Sequence, residues 1–403
     1  MSAPAVRGWC PGALRPMPSG DGLVVRIRPP GGRLSPRQAA GVATLAAAHG
    51  NGLIELTSRA NVQLRGVTAE SHHPLVEGLH RLGLVDASPE HESRRNIVVS
   101  PFARDHDGAE AITTALAVAL ASPDAPDLPG KFGFAVDCGG EPVLRDTPAD
   151  IRIERSATGE LIVCADGAGT GAPAAVASAA SIAIGLARWF VETGGKTGGR
   201  GRMAAHLTRP AIEPPAAFRD APRASGVQGT PRARPGPHPL GQLVGFEFGQ
   251  LPAGTLAELA TLGPLRITPW RMLLIEGLAA APSLPGVITD PDDPMLRVVA
   301  CTGAPACPQA LAPTRPLARS LAQTLVRTMV QAMAGPALEG PLLHVSGCAK
   351  GCARTGSSPL TLLAEPGGFA LIVEGTIASP PLLRSLDATV LMAHPEILTE
   401  RLR

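Results

Sequence analysis

Cys301-Thr302-Gly303-Ala304-Pro305-Ala306-Cys307 and, further on, Cys348-Ala349-Lys350-Gly351-Cys352 are the stretches that decide how this chain is read. Four thiolates are the ligand set of a cubane iron-sulfur cluster. Structural zinc usually pairs its cysteines about two to four residues apart in both halves, so the C-x5-C spacing of the first pair favours the cluster. Gly303, Pro305, Gly347 and Gly351 let the backbone wrap closely and turn amides towards sulfur. The expectation is a 4Fe-4S cluster on Cys301, Cys307, Cys348 and Cys352; four buried structural thiols are the plainer alternative.

Cys10, Cys138 and Cys164 follow no ligand spacing and read as ordinary core or loop residues. Seven cysteines are an odd number, and Met1-Ser2-Ala3-Pro4 opens no basic region followed by an apolar core, so a reducing cytoplasm is expected. A chain of 403 residues suggests two or three domains and buries roughly three quarters of its unfolded surface. With 36 basic against 34 acidic residues there is no global field for nucleic acid. The most apolar stretch, Ala174 to Phe190, is rich in alanine, carries Ser178, Ser181 and Arg188, and predicts a buried helix rather than a membrane span. Neither nucleic acid nor membrane is an expected partner.

The chain repeats itself. Gly22 to Arg28 alternates as a strand; Ser35-Pro36-Arg37-Gln38 opens a helix with a cap, a first-turn proline and a capping-box glutamine; Gly50 closes it. A strand at 53–57, a turn at 58–61 and a strand at 62–66 follow. The same plan returns with a strand at Leu243 to Phe248, a helix at Ala253 to Leu262, and Leu265 to Arg271 leading into Leu273 to Gly277. Thr57 and Gly66 stand nine residues apart, as do Thr268 and Gly277. This duplication predicts a pseudo-twofold molecule with its ligand where the halves meet. Between the repeats, 208–240 gathers proline, arginine and glycine without apolar period and reads as a linker. The expected division is 1–88, 89–207, linker 208–240, 241–291 and 292–403, with a helix from Pro316 to Ala334 separating the two cysteine pairs.

Basic residues gather at strand ends. Arg26 and Arg28 share one face of a strand, Arg59 and Arg65 flank a polar turn, Arg94-Arg95 precede the strand at Ile97, and Lys131 sits in Leu128-Pro129-Gly130-Lys131-Phe132-Gly133. Guanidinium forks bind carboxylates bidentately, so a polycarboxylate ligand could be held without help from net charge. Other signals fail. Gly194-Gly195-Lys196-Thr197 lacks the first glycine of a phosphate loop, since Phe190 stands there. His72-His73 with His80 reads as a solvated helix edge and His344 as a satisfied core histidine. No residue stands out as catalytic acid or base, and no two-His-one-carboxylate set marks a mononuclear iron.

Together the cysteines, the duplicated strand units and the basic motifs resemble the nitrite and sulfite reductase superfamily over nearly the whole chain. The resemblance implies an α+β, pseudo-twofold fold of two ferredoxin-like half-domains and two larger α/β domains, the C-terminal one carrying the 4Fe-4S cluster against a tetrapyrrole. Thr57-Ser58-Arg59-Ala60-Asn61-Val62-Gln63 is similar to the T-x-R-x-x-x-Q stretch lining the tetrapyrrole site. Arg28, Arg95 and Lys131 match basic residues of the distal pocket, and Cys352 matches the cysteine that bridges cluster and haem iron in siroheme members. Lys131-Phe132-Gly133 departs from the usual Lys-x-Lys, and Glu55 stands where a basic residue is common.

Arg7-Gly8-Trp9-Cys10-Pro11-Gly12, Asp21 to Arg28 running into Gly31-Gly32-Arg33-Leu34, and Thr268-Pro269-Trp270-Arg271 are more similar to the precorrin-3B synthase branch of aerobic cobalamin synthesis. There the tetrapyrrole, precorrin-3A, is substrate: dioxygen hydroxylates its C20 bridge carbon and the ring A acetate closes a γ-lactone. That resemblance implies substrate contacts at Arg28, Thr57, Arg59, Gln63, Arg95 and Lys131. It also implies an external, NAD(P)H-linked electron donor and a mononuclear non-haem iron. A siroheme-dependent nitrite or sulfite reductase is the alternative, and a simple electron carrier a third reading.

Overall fold

The computed structural model describes residues 10–224, 233–332 and 340–398. Its first unit contains β1 (Met17–Ser19), β2 (Gly22–Ile27), β3 (Arg33–Leu34), α1 (Pro36–His49), β4 (Leu53–Leu56), β5 (Val62–Val67) and α2 (Ala69–Arg81). Alternation turns Val25, Ile27, Val62 and Leu64 inward, where they pack in one core with the small residues Ala39, Val42, Ala43 and Ala46 of α1. The start of α1 is dictated locally: Ser35 Oγ accepts the Gln38 amide at 3.2 Å and Gln38 Oε1 accepts the Ser35 amide at 3.0 Å.

The second unit runs α3 (Pro89–Arg94), β6 (Ile97–Val99), α4 (Ala109–Ala121), β7 (Phe134–Asp137), β8 (Ile151–Arg155), β9 (Leu161–Ala165), β10 (Thr170–Pro173), α5 (Val176–Glu192), α6 (Met203–Leu207) and β11 (Ala221–Pro222). Its sheet has the order β11-β10-β9-β8-β7-β6. The expected buried helix is α5, which turns Ala179, Ala183, Leu186, Ala187 and Phe190 into the core. Among the described residues no helix is long and apolar enough to cross a membrane.

The third unit repeats the first, with β12 (Gly236–His238), β13 (Gly241–Val244), β14 (Gln250–Pro252), α7 (Ala253–Ala260), β15 (Leu265–Ile267) and β16 (Leu273–Glu276). The fourth holds β17 (Val298–Ala300), α8 (Arg315–Ala332), β18 (Leu343–Ser346), β19 (Ser358–Glu365), β20 (Gly368–Gly375), β21 (Leu383–Leu386) and α9 (Ala388–Ala393), its sheet ordered β17-β18-β19-β20-β21. The expected helix end at Ala334 lies outside the described residues.

The duplication is written into the sheets. One has the order β1-β2-β5-β4-β14 and the other β12-β13-β16-β15-β3, so each half lends one short strand to the edge of the other. β14 pairs with β4 through Gln250↔Glu55, Leu251↔Ile54 and Pro252↔Leu53, while β3 pairs with β15 through Leu34↔Leu265 and Arg33↔Arg266. The backbone before each exchanged strand makes the same turn, with φ of 62° at Gly31 and 56° at Phe248.

Two expectations need correction. The strand expected through Phe248 ends at Val244, because the chain must turn at Glu247–Gly249 to send β14 across to the other half. The stretch 208–240 is also not a featureless linker in its described parts. β11 completes the second sheet against β10 and β12 opens the third against β13, so backbone pairing places these residues despite their unpatterned side chains.

Candidate functional site

β17 and β18 are parallel neighbours, and each cysteine pair leaves the C-terminal end of one of them. Two cysteine loops separated by a helix in sequence therefore meet at one sheet edge. The Gly347 amide donates to Cys301 Sγ at 3.2 Å, and Thr314 Oγ1 donates to the Cys301 carbonyl at 2.7 Å. Close packing requires the glycines: a Cβ on Gly347 would stand 2.7 Å from that of Ala310, and one on Gly303 would stand 2.6 Å from Thr314 Oγ1. Burial raises the Cys352 thiol, Lys350 opposes it, and the charges of Cys301, Cys348 and Cys307 raise it further, so the four sulfurs share one neighbourhood. This donor set, with an amide aimed at sulfur, fits a cluster that takes one thiolate per iron. Among the described residues no group of three or more His, Cys, Asp or Glu stands as a site for a single ion.

The first half grips the Cys301–Cys307 loop. The Ala306 carbonyl accepts from the Gly20 amide at 3.0 Å, Ser19 Oγ at 2.7 Å and Arg65 Nη2 at 3.1 Å. Arg65 is fixed in turn by Asp21 at 2.8 Å. Behind it lies Glu55, which accepts from Arg315 Nη2 at 2.7 Å and Gln63 Nε2 at 2.9 Å and lies 3.5 Å from Arg65 Nη1. Burial alone would raise the Glu55 carboxyl, and the Arg315 and Arg65 guanidiniums outweigh it and hold the group below its ordinary value. The departure noted at Glu55 is thus the tie between the first sheet and the start of α8.

Of the expected ligand-binding residues, Arg28, Arg59 and Lys131 come together around Cys10, with Arg26 beside them. Burial raises the Cys10 thiol, but Arg26, Arg59, Lys131 and Arg28 together pull it below its ordinary value. Arg28 is 4% exposed; burial lowers it to about 10, Glu92 partly offsets this, and its Nε and Nη1 have no hydrogen-bond partner. Arg59 Nη2 donates to the Lys131 carbonyl at 3.0 Å. Gln63 joins the two ends, accepting from Arg26 Nη2 at 2.9 Å and donating to Glu55. Thr57 shapes the turn: its Oγ1 accepts the Arg59 and Asn61 amides at 3.3 and 3.2 Å. Arg95 stands apart, paired with Asp86 at 2.7 Å, donating to the Arg28 carbonyl at 2.9 Å and facing a separate cleft beside Pro29.

A cavity of about 560 Å³ is lined both by Ser58, beside Arg59, and by Cys352. Its other walls include Phe102, Arg145, Trp270, Arg271 and Arg354. Sequence reasoning placed none of these in the site. Arg354 follows Cys352 by two residues and could have been found from that spacing, whereas Arg145 arrives through the second sheet and left no local signal. The rejected signals have structural explanations: Lys196 pairs with Asp127 at 2.6 Å, and His72 Nε2 bonds the Ala13 carbonyl at 2.9 Å. His344 is buried as expected but not satisfied, since neither ring nitrogen has a partner.

Comparison with known proteins agrees with this geometry. Residues 15–82 match the nitrite/sulfite reductase ferredoxin-like half domain. The fold resembles the NirA protein of Mycobacterium tuberculosis with a TM-score of 0.60 at 17% identity, covering 94% of this chain and 80% of that one. A ferredoxin–nitrite reductase of Synechococcus elongatus is 31% identical over 136 residues, 31% of this chain and 26% of that protein. A precorrin-3B synthase of Sinorhizobium sp. is 32% identical over 415 residues, which cover 93% of this chain and 84% of that protein. The α+β, pseudo-twofold reading of the sequence is borne out, and the chain belongs to the precorrin-3B synthase family, on the nitrite and sulfite reductase fold.

Proposed function

We propose that this protein is a cytoplasmic oxidoreductase that hydroxylates precorrin-3A at the C20 bridge carbon with dioxygen, the ring A acetate closing a γ-lactone. The observation that carries the reading is one cavity lined both by Ser58 of the Arg59 turn and by Cys352. Arg28, Arg59 and Lys131 bind carboxylates of the substrate rim, each charge-assisted hydrogen bond contributing roughly 1.5–3 kcal/mol when shielded from water. Gln63 presents its amide from a fixed position between Arg26 and Glu55, Thr57 holds the turn, and Arg95 supports Arg28 through its carbonyl. A 4Fe-4S cluster on Cys301, Cys307, Cys348 and Cys352 would supply single electrons delivered from an external, NAD(P)H-linked donor. The chain's own task is orientation: fixing the ring against one wall makes the oxidation effectively intramolecular.

An anaerobic absorption and EPR spectrum, with iron, acid-labile sulfide and tetrapyrrole assayed on the same sample, tests this. A reducible cluster signal without siroheme bands, followed by conversion of precorrin-3A with dioxygen and reductant, is the expected result. Siroheme bands with turnover of nitrite or sulfite would replace the reading with a reductase.

A further inference from the structure

The duplication brings two copies of one turn into the molecule. In the first, Thr57 Oγ1 accepts the amides of Arg59 and Asn61, and Ala60 has φ of 52°. In the second, Thr268 Oγ1 accepts the amides of Trp270 and Met272 at 3.3 and 3.1 Å, and Arg271 has φ of 61°. The hydrogen bonding is equivalent position by position, but the guanidinium is not. The first turn carries it third, at Arg59, and the second carries it fourth, at Arg271, where Trp270 has taken the third place.

Arg271 holds its position against local preference. A left-handed backbone is unfavourable for a residue with a long side chain, and only surrounding structure keeps it there. Gly249 provides the room, since a Cβ there would stand 2.5 Å from Arg271 Cβ and 3.0 Å from its Cδ. The guanidinium makes no hydrogen bond or ion pair with any described residue. Of the other arginines nearby, Arg315 donates through Nη2 to Glu55, Arg145 through Nη2 to Glu154 and the Ala224 carbonyl, and Arg354 through Nε to the Ser357 carbonyl, so each has at least one partner where the Arg271 guanidinium has none among the described residues. Arg271 lines the cavity that reaches Cys352, and also the adjoining one beside Phe248 and Met295.

We infer that Arg271 is a second carboxylate-binding residue, gripping the edge of the tetrapyrrole opposite the one held by the Arg59 turn and thereby fixing which bridge carbon is presented. The inference rests on the tetrapyrrole reading above. A macrocycle bearing carboxylates all round its rim fits a symmetric clamp in several orientations. Guanidiniums delivered from inequivalent positions of two equivalent turns remove that degeneracy.

The test is a fluorescence titration of the cluster-loaded protein with uroporphyrin, a stable octacarboxylate tetrapyrrole, comparing wild type with Arg271→Met, which keeps the stem beside Gly249. The expected result is a roughly ten-fold or greater rise in Kd with the cluster EPR signal unchanged, and a smaller rise for Arg271→Lys, which keeps charge but loses the fork. Unaltered affinity in Arg271→Met would overturn the inference and leave the tetrapyrrole reading standing. Failure of the wild type to bind would remove both. Should Arg271→Met lose its cluster, Arg271→Lys decides, and wild-type affinity there counts against the inference.

Discussion

Glu55 and Arg315 stand 260 residues apart in the chain and 2.7 Å apart in the fold. One sits on β4 of the first half and the other opens α8, so this pair fastens the ferredoxin-like sheet to the cysteine-bearing unit. Replacing Glu55 by Gln keeps the size and leaves the Arg315 and Arg65 charges without their shared partner. Removing one member of a buried pair costs roughly 3 kcal/mol. Thermal unfolding should shift down by several degrees and iron content should fall with it; a variant with wild-type melting and full iron would show that the tie is incidental.

Gly20 offers a gentler probe of the same junction. A methyl group there would run into the Pro305 carbonyl, which is backbone and cannot swing aside. Gly20→Ala should push the Cys301–Cys307 loop outward, at a cost of about 1–3 kcal/mol, while the rest of the first sheet stays intact. Cluster loss on mild chelation is the sensitive measurement, and it should accelerate severalfold. Equal rates in the two proteins would count against the grip on Ala306.

Thiol reactivity should separate the three cysteines outside the two C-terminal pairs. Burial raises the Cys10 thiol, yet four neighbouring cations bring it below its ordinary value, whereas burial pushes Cys138 and Cys164 up to about 12. With the cluster in place, iodoacetamide at neutral pH should therefore alkylate Cys10 well before the other two. Peptide mapping by mass spectrometry gives the order, and equal labelling of all three would contradict the cationic surroundings assigned to Cys10.

His344 makes stability depend on acid. It is buried, and desolvation, with a smaller contribution from Arg354, lowers it to about 4 from its ordinary 6.5. The unfolded chain then binds the proton first as pH falls. Stability is fully present above pH 6.5 and is lost as pH drops towards 4, by up to about 3 kcal/mol. Asp137, raised by burial to about 6, acts in the opposite sense, so the informative quantity is the difference between wild type and His344→Leu. Urea midpoints at pH 7 and pH 4.5 should converge more in the variant; identical pH slopes would dismiss the histidine.

Legibility in the sequence followed the locality of the signal. The cap at Ser35, the helix at Val176 and the cysteine spacing are short-range patterns, and they reappear as α1, α5 and the two loops. The equivalence of Thr57 with Thr268 was visible as a spacing and returned as equivalent turns. Strand exchange was not visible, because two or three residues of edge strand carry no period and owe their pairing to distant backbone. Arg95 shows the other limit: its neighbour Asp86 lies nine residues back, and sequence alone did not reveal that the charge was already paired. The polar groups Glu55, Gln63 and Arg315, which meet where the first sheet joins α8, owe their meaning to long-range contact alone.

The crossed edge strands also bear on motion. Two halves docked only through side chains could open about a hinge, and each ligand would be admitted by such a swing. Here separation would tear β3 from β15 and β14 from β4, breaking two hydrogen-bonded ladders at once. The two ferredoxin-like halves therefore move as a single body, and any widening of the cavity falls to the walls supplied by the second and fourth units, such as Arg145 and Cys352. Admission is then a matter of the flanking units yielding around a rigid centre.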